Sequence, residues 1–245
     1  MPSRNLLLVF LFSIVSINVH SQSRIEISFH AGYSKPKLES YGTNLTINST
    51  EDQIFINGKR LLVSDNLGAE AGYSVQSFLK YNFLAKGFVK ALLNIGYNNL
   101  FSVHPGPSDF DIGIRIQSFS IGAGTEVNPL GHDKKVYPGI YGMLRVNFIG
   151  GETFHKAGLD FFKVTPRYGY SAGLNLNYRF KKALGMYLGY SYSFDNLWNR
   201  QTDEKTPNDA HVIVFRDKAS PTNGLAHDRR IAYWSLYLGM NFFFK

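Results

Sequence analysis

An alternation of apolar and polar residues with a period of two recurs eight times along this chain. In the first run Ile25, Ile27, Phe29, Ala31 and Tyr33 alternate with Glu26, Ser28, His30 and Gly32. The last run sets Trp234, Leu236, Leu238, Met240, Phe242 and Phe244 against Tyr233, Ser235, Tyr237, Gly239 and Asn241. Neighbouring side chains of a strand point to opposite faces, so each run has one apolar face and one polar or small one. Strands are expected near 24–34, 67–83, 87–100, 112–127, 136–149, 167–180, 184–194 and 230–244. The connections alternate too: 84–86, 128–135 and 181–183 are short, whereas 35–66, 101–111, 150–166 and 195–229 are long. This pattern predicts an all-β, antiparallel up-and-down transmembrane barrel with short periplasmic turns and long extracellular loops. Eight strands is the expected count. Ten results if 53–63, a hairpin around Asn57-Gly58, and 211–216 join the barrel, but both read better as β structure above the membrane.

The phase breaks once. Ile112, Ile114 and Ile116 are even-numbered, whereas Phe119, Ile121 and Ala123 are odd. A β-bulge at Gln117-Ser118, which flips the faces, is expected to reconcile them.

A soluble barrel also alternates, with its faces inverted. Three features favour the membrane. The polar face carries Glu26, Glu70, Lys80, Lys90, Glu126, Arg145 and Arg179, with His30 beside Glu26. Their mixed signs suit a hydrogen-bonded lumen, and together they form the expected lumen polar network, structural rather than catalytic. Aromatics gather at the strand ends: Tyr33, Tyr97, Phe148, Tyr168 and Phe194 towards the loops, and Tyr81, Phe83, Tyr178, Phe180 and Phe244 towards the turns. Two such girdles are what membrane interfaces select. Finally, Met240 to Phe244 form an aromatic terminal strand, followed by Lys245. A closed barrel is the one sheet form that pairs every backbone group in lipid.

Residues 1–21 read as an export signal: Arg4 supplies the charge, Leu6 to Ile17 the apolar run, and Val19-His20-Ser21 the cleavage site. The run is too short for a membrane-spanning helix, and the barrel domain is expected over 22–245. The formal charge is +8, but no basic cluster is interleaved with aromatics, so nucleic acid is not an expected partner. With no cysteine there is neither a disulfide framework nor a lipid-modified cysteine.

From Gln22 onward the chain resembles the OmpA/OmpX-like outer-membrane barrel superfamily, in particular the small porin-family barrels of Bacteroidetes-type bacteria. The residues that carry the likeness are Gln22 itself, the pairs Gly32-Tyr33, Gly72-Tyr73, Gly96-Tyr97 and Gly189-Tyr190, and the terminal Phe run. The resemblance implies an outer-membrane location, contact with outer-membrane lipid and lipopolysaccharide, and insertion by the barrel assembly machinery. It implies no activity.

No nucleophile elbow, phosphate loop or metal-ligand spacing is present. Of His30, His104, His132, His155, His211 and His227, no two lie at i, i+2 or i, i+4, so no metal, cofactor or catalytic residue is expected. An eight-stranded barrel has an interior just wide enough for its own side chains. Phe78, Tyr141, Tyr187, Tyr233 and Tyr237 on the inner face therefore favour a plug over a pore. The turns carry Lys86, Lys134, Lys135, Lys181, Lys182 and Lys245 against Asp133. These are plain solvated turns, or a dock for an acidic partner or anionic headgroups. Loop aromatics such as Tyr41, Phe55, Phe161, Phe162, Trp198 and Phe215 either staple the loops or form a contact surface. The expected function is non-enzymatic, a structural or surface-interaction role carried by the extracellular loops, which makes a protein partner at loops or turns an open reading. The alternatives are an accessory subunit of a secretion, assembly or uptake complex, a narrow small-solute channel, and a lipid-modifying enzyme using loop Ser, His and Asp.

Overall fold

The computed structural model describes residues 24–40, 53–56, 59–62, 67–84, 87–105, 111–131, 134–155, 158–202, 212–213, 215, 217–220 and 228–244. The expected signal lies outside them, as do Asp133, His132, His211 and His227 and the side chains of His104 and His155. The strands are β1 (Ile25–Lys37), β2 (Gln53–Ile56), β3 (Lys59–Leu62), β4 (Ala71–Asn82), β5 (Val89–Pro105), β6 (Asp111–Val127), β7 (Val136–His155), β8 (Gly158–Lys181), β9 (Leu184–Trp198), β10 (Val212–Ile213) and β11 (Ala232–Phe244). A short 3-10 turn, Leu38–Ser40, follows β1.

Eight of these strands close into a ring, each antiparallel to both neighbours. β1 pairs with β4 on one side and with β11 on the other, so the sheet has no free edge. β2 and β3 form a separate hairpin, and β10 adds a short parallel pairing to the loop end of β8. Both extra pieces lie outside the ring, which settles the count at eight.

The faces are those of a barrel that spans a bilayer. Leu144, Leu93, Leu238 and Ile95 point outward and are 56–64% exposed, while Glu26, Lys90 and Asn241 point inward and are fully buried. At the loop end the outward rings meet in pairs, Tyr33 with Trp234, Trp234 with Tyr190, Tyr73 with Tyr97, and Phe119 with Phe148. At the turn end Tyr81 meets Phe83 and Tyr178 meets Phe180. Tyr168 and Tyr178 are ten positions apart on β8, about 33 Å along a strand. With a tilt of roughly 40° that is about 25 Å along the membrane normal, the height of a transmembrane barrel's apolar band. Phe194 does not join the loop-end girdle. Its ring stacks on Tyr170 with centroids 6.2 Å apart, and it is 7% exposed.

Two further expectations fail. β6 shows no bulge at Gln117-Ser118: its register with β5 and β7 runs unbroken through both residues. Ile114 and Ile116 face the lumen together with Ser118 and Ser120. The apparent phase break records a change in the lining of the barrel from polar to apolar, not a flip of the strand. The register shifts that do occur lie in the pairings of β8: opposite Gly150 and near Phe180 the extra residue is on β8, and near Gly169 it is β9 that carries the longer run. The second failure concerns two of the long loops. The hairpins β5–β6 and β7–β8 continue as paired strand to Pro105 and Asp111, and to His155 and Gly158. Above the bilayer the outer face no longer has to be apolar, and the inner face turns apolar beneath side chains such as Phe162, so the alternation that marks a membrane strand fades although the pairing continues.

Candidate functional site

The distinctive chemistry lies inside the barrel, in layers. Nearest the turns, β1, β4, β5 and β6 bring Glu26, Lys80, Lys90 and Glu126 together. Lys80 Nζ lies 3.1 Å from Glu26 and 2.8 Å from Glu126; Lys90 Nζ lies 2.7 Å from Glu26 and 3.2 Å from Glu126. Each ammonium thus touches both carboxylates. The side chains are at most 2% exposed and their charges cancel. Register explains the meeting: Glu26 is directly opposite Lys80, and Lys90 is directly opposite Glu126. Ser28 donates to Glu26, and the ammonium groups lie over Phe78, Tyr187 and Tyr137. Buried charges are tolerable only when paired and hydrogen-bonded in this way.

One layer up, rings fill the cross-section. His30 stacks on Tyr237 with centroids 4.0 Å apart, and its Nδ1 lies 2.8 Å from the Tyr187 hydroxyl. Tyr237 donates to the Asn175 side-chain oxygen and lies 3.4 Å from the Tyr141 hydroxyl, and Phe78 packs edge-on against Tyr141. Gly189 and Gly173 make this layer possible. A Cβ on Gly189 would lie 2.1 Å from Tyr237, and one on Gly173 would lie 2.6 Å from Tyr141.

Above the rings, Arg145 Nη2 lies 3.3 Å from Asp195 and also donates to the Tyr233 hydroxyl, while Nη1 donates to Ser193. Higher still, Arg167 holds Asp217 by two hydrogen bonds of 2.9 and 3.0 Å, and Asn196 donates to the same carboxylate at 2.8 Å. Arg167 also donates to the Phe215 carbonyl. This latch seats the segment around Phe215 on the barrel mouth. There Leu67, Leu100, Ile114, Ile149, Phe162, Phe215 and Ile231 pack into a dry cap. Leu67 and Ala69 are held in place by backbone bonds to Glu39 and Ser40.

Of the sequence-selected residues, Glu26, Lys80, Lys90 and Glu126 are thus one cluster, with His30 and Arg145 in separate layers. Glu70 precedes β4 at the loop end and is half-buried, its amide bonded to the Phe101 carbonyl. Arg179 is half-buried at the turn end, stacked 4.1 Å over Phe243 and donating to the Lys182 carbonyl. Sequence reasoning missed Asp195, Arg167, Asn196 and Asp217. Arg167 carries a usable signal, because it shares the inward parity of Ser171, Asn175 and Asn177 on β8. Asp195 carries the same signal, continuing the inward parity of Tyr187, Ser191 and Ser193 on β9, whereas Asp217 carries none, since its partner is set by the fold alone. Among the described residues no three of His, Asp and Glu gather as metal ligands do.

No family model matches the chain, and no curated protein matches it. Solved structures similar to it include Neisserial surface protein A, with 13% identity, a TM-score of 0.49, and coverage of 90% of this chain and 97% of that one. The outer membrane protein OprG of Pseudomonas aeruginosa matches with 13% identity and a TM-score of 0.44, covering 93% and 99% of the two chains. Ail, the attachment invasion locus protein of Yersinia pestis, solved with the heparin analogue sucrose octasulfate, matches with 13% identity and a TM-score of 0.41, covering 89% and 99%.

Proposed function

We propose that this chain is an exported outer-membrane barrel of a Gram-negative cell that neither conducts nor catalyses, and that acts through the surface at its loop end. The lumen, blocked at every level, carries this reading. Among the described residues, the charge quartet, the ring layer, the Arg145–Asp195 and Arg167–Asp217 pairs and the apolar cap occupy successive levels of the lumen. In this reading the lumen residues Glu26, His30, Lys80, Lys90, Glu126 and Arg145 are structural, Glu70 and Arg179 finish the two ends, and no cofactor takes part. The loop end is then the face left for recognition, and Phe161 and Val164 are 48% and 63% exposed there. Apolar side chains exposed above the girdle are the kind that contact surfaces use.

Planar-bilayer recording of the purified barrel tests the blocked lumen: a flat trace is expected, and a reproducible conductance step overturns it. Detergent co-purification tests whether the barrel acts alone. A stoichiometric partner makes it a subunit of a larger envelope machine.

A further inference from the structure

We propose that the turn end carries a binding site for an anionic phospholipid, with the headgroup on lysines of two adjacent turns and an acyl chain in the groove that begins beside them. The inference goes beyond the proposed function and needs only that the barrel spans a bilayer.

The lysines are placed by pairing. β7 and β8 are neighbours, and the Arg179 amide bonds the Lys135 carbonyl at 2.8 Å, so the turn before β7 lies against the turn after β8. This brings Lys134 and Lys135 beside Lys181 and Lys182, all four exposed. Asp133, the acid nearest in sequence, lies outside the described residues. Lys135 Nζ sits 5.4 Å over the ring of Tyr178, which packs on Phe180 in the turn-end girdle. A cation resting on a girdle tyrosine is at headgroup height, where lipid phosphates lie.

The groove starts at the same place. Phe180 and Met186 flank the β8–β9 turn, and with Phe29, Leu238, Met240 and Phe242 they line a concavity of about 620 Å³ on the outer wall. Its floor crosses β1 and β11 at Ala31 and Gly239, where the side chains are too small to fill it. Apart from His30, whose ring turns into the lumen, the lining side chains are apolar, so the groove offers a soluble ligand almost nothing to bind by hydrogen bonds. An acyl chain fits it by chemistry, and the lysines at its mouth select a negative headgroup over a zwitterionic one.

Each lysine near a membrane surface strengthens attraction for an anionic lipid roughly fivefold. Four together, discounted for salt screening, are expected to give at least a tenfold preference. The test is native mass spectrometry of the detergent-released barrel with dioleoyl phosphatidylglycerol, dioleoyl phosphatidylcholine, or glycerol 3-phosphate. The expected results are retention of phosphatidylglycerol at least tenfold above phosphatidylcholine and no competition from glycerol 3-phosphate. Substitution K134Q/K135Q/K181Q/K182Q is expected to reduce phosphatidylglycerol to the phosphatidylcholine level with an unchanged unfolding midpoint. Ala31→Phe, which fills the groove from the lipid side, is expected to weaken both lipids and leave the lysines intact. Equal retention of the two lipids overturns the proposal, as does full competition by glycerol 3-phosphate. So does a quadruple variant that keeps phosphatidylglycerol but loses a co-purifying acidic protein, which would assign the lysines to protein docking. A bilayer conductance step leaves this outcome untouched, so the two readings fail separately.

Discussion

Replacing Lys90 with Met tests whether the lumen quartet acts as one neutral unit. In the native barrel each of the four charged groups touches two of opposite sign at 2.7–3.2 Å. Without Lys90, Glu26 and Glu126 share Lys80 alone, and the dry interior holds a net negative charge. Removing one partner of a buried pair costs about 3–5 kcal/mol, because an uncompensated charge stays behind. The double replacement K90M/E126Q leaves Glu26 and Lys80 facing each other at 3.1 Å with no net charge. It is expected to cost less than Lys90→Met alone, although it removes more contacts. Equilibrium urea unfolding in phosphatidylcholine vesicles reads both costs, with fluorescence from Trp198 and Trp234, the two tryptophans of the chain. A loss below about 1 kcal/mol for Lys90→Met refutes the reasoning, since it places the quartet in effectively wet surroundings. So does a double variant whose cost is the sum of the two single costs, because independent sites add and a coupled cluster does not.

Leu144 is 64% exposed on the outer wall. Leu144→Arg is expected to lower stability in vesicles by about 2–4 kcal/mol, and a neutral or favourable change would mean that the apolar face does not meet lipid. Asp217→Asn takes the carboxylate from Arg167, which is equally buried, so faster hydrogen exchange at residues 217–220 is expected together with a loss of stability of up to about 3–5 kcal/mol in urea unfolding. The bilayer trace should stay flat even so, because the ring layer and the quartet fill the lumen below the cap; a conductance step in this variant would place the whole seal at the mouth. Glu39, outside the membrane, is pushed upward by burial but held below its ordinary value of 4.5 by hydrogen bonds from Arg230. Its contribution is present above the unfolded value and is lost as pH falls through the lowered folded one. Because the Arg230 side chain is 43% exposed, that contribution is under about 1 kcal/mol; Glu39→Gln should flatten the pH dependence of unfolding in the acid range, and an unchanged curve would count against the pair.

The barrel is legible in the sequence because lipid and lumen impose opposite demands on alternate residues. The parity that turns Leu79, Leu93 and Ile121 outward turns Lys80, Lys90 and Glu126 inward, and mixed signs on one face announce that they will meet. The loop end is less legible, for two reasons. A rule that the inside is polar reads Ile114 and Ile116 as lipid-facing, when the lumen itself turns apolar beneath the cap. The partners that build the cap and its latch, such as Arg167 with Asp217 or Leu67 with Phe215, lie far apart in sequence and are joined only by tertiary packing, so no local pattern encodes the pairs.

The seam between β1 and β11 has a consequence for how the molecule forms. These two strands pair along their whole length, from Ile25 with Phe244 to Lys37 with Ala232, although nearly the entire chain separates them in sequence. Loop closure over so long a separation is slow, and its entropy cost falls before any of those contacts is made. Until the seam closes, both strands present unpaired backbone, and the apolar outer wall has neither lipid nor partner over it. The cap draws on residues from Leu67 to Tyr233, so it has no foundation before the ring exists. Formation is therefore ordered: hairpins between sequential strands first, the seam next, and the lid of packed side chains last. An interruption before the seam would leave a sticky open sheet rather than a smaller barrel, so a folding chain of this design depends on being shielded until its first and last strands have met.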